Sequence, residues 1–336
     1  MKVIVTRKMM DSDLKYIMRG IEAQIGKVVE FVLPKTYDEN GLLPIVKDAD
    51  VLMGPFVTEQ LVREAKRLKL IQVPWTGMDT FDFSAMKDSG VPVCNTHSNA
   101  DAVAEIGVAI LLDLLKKVSY HDRKMRAGNW NRDQQPLTLL SRMVSGQKVC
   151  ILGYGNIGSR VGKLISAFGA TILAVDQQVA NGRLPMHPEV AEAVTGEAWT
   201  QLAAQADVVI CTLPLTDVTR NMINEDTIVC LKQGCILINL SRAAIMNETD
   251  VYQALKLGKL SGFGSDVWWC APKRGESQSW PSSIREFVEL DQVIFSPHRA
   301  GFIENSLPHL DGAIENLVRL YRGEPLKDIV DRTKQF

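Results

Sequence analysis

Neither sign of charge is in excess in this sequence: 38 Lys and Arg stand against 39 Asp and Glu, a formal net charge of −1. A chain so balanced has no long-range attraction for nucleic acid or an anionic membrane, and neither is expected as a partner. Long apolar runs are missing too. The longest, around Ile106–Leu115, is interrupted by Asp113 and is too short to cross a bilayer. The opening MKVIVTRKMM has one short apolar run followed by charges, unlike a signal peptide, so a cytoplasmic location is expected. Cys94, Cys150, Cys211, Cys230, Cys235 and Cys270 form no C-x-x-C pair, and three of them sit in apolar strand-like runs, which reads as buried thiols. His97, His121, His187 and His309 have no metal-like spacing, so no structural metal is expected. The sequence contains no repeats and no low-complexity tract.

What is present organises itself around Lys148–Asp176, KVCILGYGNIGSRVGKLISAFGATILAVD. The compact apolar run Val149–Leu152 reads as a buried strand. Gly153, Gly155 and Gly158 follow as G-x-G-x-x-G, and Ile157, Val161, Leu164, Ile165 and Phe168 then share one helical face. Gly169 ends that helix, and Thr171–Val175 is a second strand ending in Asp176. A strand–turn–helix–strand unit of about thirty residues with these glycines is a dinucleotide-binding fingerprint. Gly153 makes the tight turn, Gly155 lets backbone approach a pyrophosphate, and Gly158 lets helix pack against strand. The helix start at Asn156 and Ile157 offers free N–H groups and a positive dipole end to phosphate. Asp176 accepts hydrogen bonds from an adenosine ribose. It also repels a 2′-phosphate, and Gln177–Gln178 supplies no Arg to bind one, so NAD is the expected cofactor. Arg183, a little downstream, is the one nearby counter-argument.

A chain of 336 residues exceeds the usual single core, and an apolar content of 46% with 23% charged residues is that of an ordinary globular protein. The first hundred residues alternate short buried strands (Lys2–Val5, Val28–Leu33, Val51–Gly54, Leu70–Val73, Val91–Cys94) with helices at Ser12–Ile25 and Thr58–Leu68. Such alternation predicts a parallel, doubly wound sheet. Asp101–Lys117 is a helix apolar almost all round, which calls for burial in a core or cover from a second subunit. After a polar segment at Ser119–Gln147, alternation resumes through Asp207–Leu213, Cys235–Leu240, Gly262–Val267 and Gln292–Ser296, with helices at Asn247–Leu257 and Glu304–Arg322. The expected architecture is α/β with two doubly wound parallel-sheet domains. Residues 100–303 form a Rossmann domain, and residues 1–99 with 304–336 form a second, flavodoxin-like domain.

Several later stretches together resemble the D-isomer-specific 2-hydroxyacid dehydrogenase family: INLSRAAI at Ile238–Ile245, GFGSDVW at Gly262–Trp268, VIFSPHRAG at Val293–Gly301, and ADVVICTLPLTDVTRN at Ala206–Asn221. Asn95–Leu115 is similar to the family's interdomain helix. The resemblance implies hydride transfer between NAD and a small 2-oxo or 2-hydroxy acid. It implies Arg242 as carboxylate ligand and His298 as general acid/base. Asp266, Leu240 and Ser241 would lie by the nicotinamide, with Leu213, Pro214 and Thr219 by the adenosine and pyrophosphate. Thr76 and Gly77, after Trp75, would face the substrate through their backbone, with Asn99 as a further substrate contact. A homodimer is implied as well. Residue chemistry agrees: Arg grips a carboxylate bidentately, and imidazole exchanges a proton near neutral pH.

One position departs from the family pattern. The acidic residue that usually partners the histidine stands five places after Asp266, where this chain has Ala271. Glu276, Glu286, Glu289 and Glu304 are the carboxylates that an insertion could bring in instead. Relatives that oxidise formate or phosphite, and NAD-sensing corepressors, supply the alternative functions; formate dehydrogenases carry Gln at the Ala271 position.

Overall fold

The computed structural model describes residues 1–334 apart from 88, 131–139, 183–186, 273–275 and 305, so Arg183 lies outside the described residues. Among the described residues, twelve strands fall into two parallel sheets. The first holds β1 (Lys2–Val5), β2 (Glu30–Val32), β3 (Val51–Met53), β4 (Leu70–Gln72) and β5 (Val93–Cys94) in the order β2-β1-β3-β4-β5. This is the flavodoxin-like order, which reverses direction between β1 and β3. Val3, Ile4 and Val5 are all fully buried, because helices cover both faces of the sheet. Val3 belongs to the cluster with Ile17 and Ile21 of α1 (Asp11–Ile25) and with Leu310, Ile314 and Leu317 of the C-terminal helix Pro308–Arg322. Its neighbour Ile4 points the other way, into the cluster with Leu42 of α2 (Glu39–Val46) and Leu61 of α3 (Glu59–Glu64). Thr58 caps α3 by accepting the Leu61 N–H at 3.3 Å.

The second sheet holds β6 (Lys148–Leu152), β7 (Thr171–Val175), β8 (Val190–Val194), β9 (Val208–Cys211), β10 (Cys235–Asn239), β11 (Leu260–Ser265) and β12 (Val293–Phe295), in the order β12-β11-β10-β9-β6-β7-β8. This is the Rossmann order with one further strand, and it reverses between β6 and β9. Its helices are α4 (Ala100–Lys116), α5 (Val118–Arg126), α6 (Asn156–Ser166), α7 (Gln177–Ala180), α8 (Trp199–Ala203), α9 (Glu225–Ile228) and α10 (Glu248–Lys256). The chain divides into two compact units, Met1–Asn99 with Gly301–Phe336, and Ala100–Ala300.

The structure decides several expectations from the sequence. The apolar face of α4 is buried inside its own unit, where Val103, Ala104, Ile110, Leu111 and Leu114 join the core with Ile236, Ile238 and Val161; only Asp101, Glu105 and Ala109 are exposed. This is the burial in a core that a helix apolar almost all round calls for, and Ile106 and Leu112 remain partly buried. On α6 the packed face is Gly158, Val161, Gly162 and Ile165, whereas Leu164 and Phe168 stand out in solvent, because the glycines let the backbone approach the sheet and turn that side inward. The C-terminal helix starts at Pro308, not Glu304, with proline in its first turn, and Tyr321 is exposed. Helix α2 was not expected at all: Gly41 and Pro44 interrupt its pattern, and the Asp38 cap on the Gly41 N–H holds it in place. Cys94, Cys150, Cys211 and Cys235 are buried, but Cys230 is exposed and Cys270 half-buried. Among the described residues no helix is long and apolar enough to cross a membrane.

Candidate active site

All the nucleotide-side candidates leave the C-terminal edge of the seven-stranded sheet, where ligands of open α/β sheets bind. After β6 the chain turns at Gly153 with φ 90°, a conformation for which glycine is suited. A Cβ at Gly158 would lie 2.0 Å from the Gly153 carbonyl oxygen, so the third glycine is required by packing alone. Gly155 differs. A Cβ there would meet no atom of the chain within 4 Å, so no internal contact demands glycine, and the space beside it suits a pyrophosphate. Ser159 is the first residue of α6 to donate to a turn carbonyl, that of Gly155 at 3.0 Å. The N–H groups of Asn156, Ile157 and Gly158 have no acceptor among the described residues, as an anion-binding helix start requires.

Tyr154, inside the motif, plays a structural part. It is buried against Gly162 and donates to Glu189 Oε1 at 2.8 Å. Burial, reinforced by Glu189, raises its phenol above the ordinary value, so it remains a neutral donor.

Asp176 ends β7 and caps α7. Its Oδ1 accepts from the N–H groups of Gln178 at 2.8 Å and Val179 at 3.1 Å. Oδ2 takes no hydrogen bond among the described residues, which leaves it for a ribose hydroxyl. Leu213, Pro214 and Thr219 follow β9 in a closed loop: Thr219 Oγ1 donates to the Pro214 carbonyl at 2.7 Å and accepts the Thr216 N–H at 2.8 Å. Ser241 Oγ donates to the Leu213 carbonyl, tying this loop to the end of β10.

Arg242, Asp266 and His298 follow the adjacent strands β10, β11 and β12. Arg242 is half-buried with an extended backbone, and its Nη1 donates to the Ser241 carbonyl at 2.9 Å. Fully buried Asn239 brackets it, accepting the Ser241 N–H at 3.0 Å and donating Nδ2 to the Arg242 carbonyl at 3.0 Å. Sequence reasoning missed Asn239. Its signal was a lone amide closing the apolar strand CILIN.

Asp266 is only 4% exposed, and both its oxygens are used. Oδ1 accepts from the Ser296 hydroxyl and from the Arg299 N–H at 2.9 Å; Oδ2 accepts the Ala300 N–H at 3.0 Å. Between these anchors His298 is exposed and holds φ 55°, an unusual value for a side chain other than glycine. Trp268 adds a further tie, donating Nε1 to the Ser296 carbonyl at 2.9 Å, and Trp269 donates to the Met246 carbonyl at 2.9 Å. Trp269 stacks on Phe263 and Trp268 on Phe295, and Phe287 packs against both indoles at an angle, so they brace the strand ends. Ala271, Glu276, Glu286 and Glu289 are all exposed.

In the other unit, Thr76 and Gly77 follow β4. Asn95 Nδ2 donates to the Thr76 carbonyl at 2.8 Å, and Thr76 Oγ1 donates to Asn99 Oδ1 at 3.3 Å. Asn99 thus stands beside the Thr76 loop.

Comparison with known proteins agrees with this geometry. Residues 108–300 match the model of the D-isomer specific 2-hydroxyacid dehydrogenase NAD binding domain. The chain is 27% identical to a glyoxylate reductase of Thermococcus litoralis, covering 98% of this chain and 97% of that protein. It is also 27% identical to a D-3-phosphoglycerate dehydrogenase of Methanocaldococcus jannaschii, of which it spans only 59%. The solved 2-hydroxyacid dehydrogenase of Ketogulonicigenium vulgare superposes with a TM-score of 0.74 at 25% identity, covering 98% of each chain. With the glycine turn, the anion-ready start of α6 and a family model matched over more than half its length, the chain belongs to the D-isomer specific 2-hydroxyacid dehydrogenases, NAD-dependent oxidoreductases.

Proposed function

We propose that the protein interconverts a small 2-oxo acid and its 2-hydroxy acid, with Arg242 and His298 as the acting side chains. Residues Ala100–Ala300 form the NAD-binding half; the other unit carries the substrate-side residues Thr76, Gly77 and Asn99. NADH, when bound, supplies the hydride. The Arg242 guanidinium offers a planar fork of donors that grips the carboxylate and polarises the neighbouring carbonyl. His298 gives its proton to the carbonyl oxygen as hydride arrives, and takes it back in the oxidation direction. The observation that most supports this reading is the Asp266 clamp. A buried carboxylate at the end of β11 spends both oxygens on holding the Ser296–Ala300 loop, which fixes a left-handed histidine beyond β12, while Arg242 follows β10 on the other side of β11. Backbone held in such a region costs about 1–3 kcal/mol and gathers at functional sites.

Following NADH absorbance over a panel of 2-oxo acids tests the proposal. The wild-type protein should turn over at least one acid. Arg242→Ala should lower kcat/KM for that acid by about 2–5 kcal/mol, the usual cost of removing one partner of a buried charge pair, while NADH still binds. A variant with near wild-type kcat/KM would remove Arg242 from the mechanism. Binding of NADH with no turnover of any acid would favour a sensor.

A further inference from the structure

The exit of β1 has features that the reaction above does not use. β1 ends at Val5, and the chain leaves the first sheet through Thr6, Arg7 and Lys8. This exit lies at the β1/β3 reversal, the crevice where doubly wound sheets of this order take ligands. The exit is also held firmly. Fully buried Thr6 donates its N–H to the Met53 carbonyl at 2.8 Å. Gly54, with φ 132°, lies so close that a Cβ there would stand 2.6 Å from Thr6 Oγ1 and 3.1 Å from the Arg7 nitrogen.

From this anchored backbone the Arg7 guanidinium lies over the Trp75 ring, 5.0 Å from its centroid. Trp75 directly precedes Thr76, whose carbonyl and hydroxyl are tied to Asn95 and Asn99. Arg7 is exposed, and it forms no hydrogen bond or ion pair among the described residues. A guanidinium held over an indole in this way keeps its N–H donors, a planar fork suited to a planar or tetrahedral oxyanion. Lys8, also exposed, adds a second positive charge at the same exit.

We propose that Arg7 sets substrate specificity by binding a second anionic group, carboxylate or phosphate, at the distal end of the 2-oxo acid. The inference rests on the reading of Thr76 and Gly77 as substrate-facing. It goes beyond it in naming the class: a 2-oxo acid with two anionic ends.

Steady-state kinetics with NADH on pyruvate, oxaloacetate, 2-oxoglutarate and 3-phosphohydroxypyruvate separates the carboxylate from the phosphate form of the idea. At least one substrate with a second anion should show kcat/KM about tenfold or more above pyruvate, an advantage carried mainly by KM. Arg7→Gln should lower kcat/KM for that substrate at least about tenfold further than for pyruvate, and Arg7→Lys should restore part of it, since ammonium keeps the charge but not the fork. Preference for pyruvate over every doubly charged acid would overturn the proposal, as would an equal fall for all four acids in Arg7→Gln. If the wild-type protein turns over neither these four nor any other acid of the 2-oxo acid panel, the proposed function fails. Calorimetric titration of wild type and Arg7→Gln with D-malate and D-lactate then decides the Arg7 assignment alone: selective loss of malate binding supports it, and equal binding to both proteins refutes it.

Discussion

Two glycines of one turn should respond in opposite ways to the same added methyl group. At Gly158 a Cβ would sit 2.0 Å from the Gly153 oxygen and 2.9 Å from Thr212 Oγ1, so α6 must move off the turn. Overpacking of that kind costs about 1–3 kcal/mol or more. For a unit of this size each kcal/mol lowers the melting midpoint by roughly 2–4 °C, so Gly158→Ala should lose about 2–12 °C. At Gly155 no atom lies within 4 Å, and φ is −80°, so Gly155→Ala should leave the apo midpoint almost unchanged, within about 0.5 kcal/mol. The methyl group instead occupies the space that a pyrophosphate needs. NADH affinity should fall at least about tenfold, which is 1.4 kcal/mol. Differential scanning fluorimetry of the apo proteins and a fluorescence titration with NADH read the two effects separately. The reasoning is refuted if Gly155→Ala melts as early as Gly158→Ala, or if it binds NADH as tightly as wild type.

Asp266→Asn replaces an acceptor oxygen with an NH2 group that must face a backbone N–H. Losing charged hydrogen bonds worth about 1.5–3 kcal/mol should lower kcat at least about tenfold while NADH affinity holds, and equal losses in both would deny the positioning role. Asp176→Ser keeps an N-cap for α7 but removes the carboxylate, so the ratio of kcat/KM for NADH over NADPH should drop about tenfold or more with little change in melting; an unchanged ratio would show that another group selects the cofactor. Burial pushes the thiols of Cys94, Cys150, Cys211 and Cys235 up to about 12. Thiolate is the reactive form, so at pH 8 Ellman's reagent should quickly titrate only Cys230 and Cys270 in the native protein. Rapid reaction of more than two thiols would contradict that burial.

The local unit Lys148–Asp176 was legible from the sequence because every part of it lies within one turn, helix and strand of its neighbour. The G-x-G-x-x-G spacing and the closing aspartate carry its geometry without help from the rest of the chain. The other strands were legible for a related reason: parallel strands covered on both faces read as short, unbroken apolar runs, whereas β8 (Val190–Val194), at the sheet edge and interrupted by exposed Glu192, gave no such signal. What those runs pack against was not. Asp101–Lys117 called for cover by a core or by a second subunit, and periodicity could not choose, because it records that a face is apolar, not what covers it. The sheet and α6 of its own unit do so. Leu164, Phe168 and Tyr321 fit a helical stripe yet stand in solvent, since close approach at Gly158 and Gly162 and the line of the C-terminal helix chose other faces. Most of all, tertiary structure decided the role of Asp266. Thirty residues and more separate it from Arg299 and Ala300, and only the pairing of β11 with β12 brings its carboxylate to their N–H groups. Sequence spacing cannot register a contact made by two strand ends that meet solely because their strands are neighbours in the sheet.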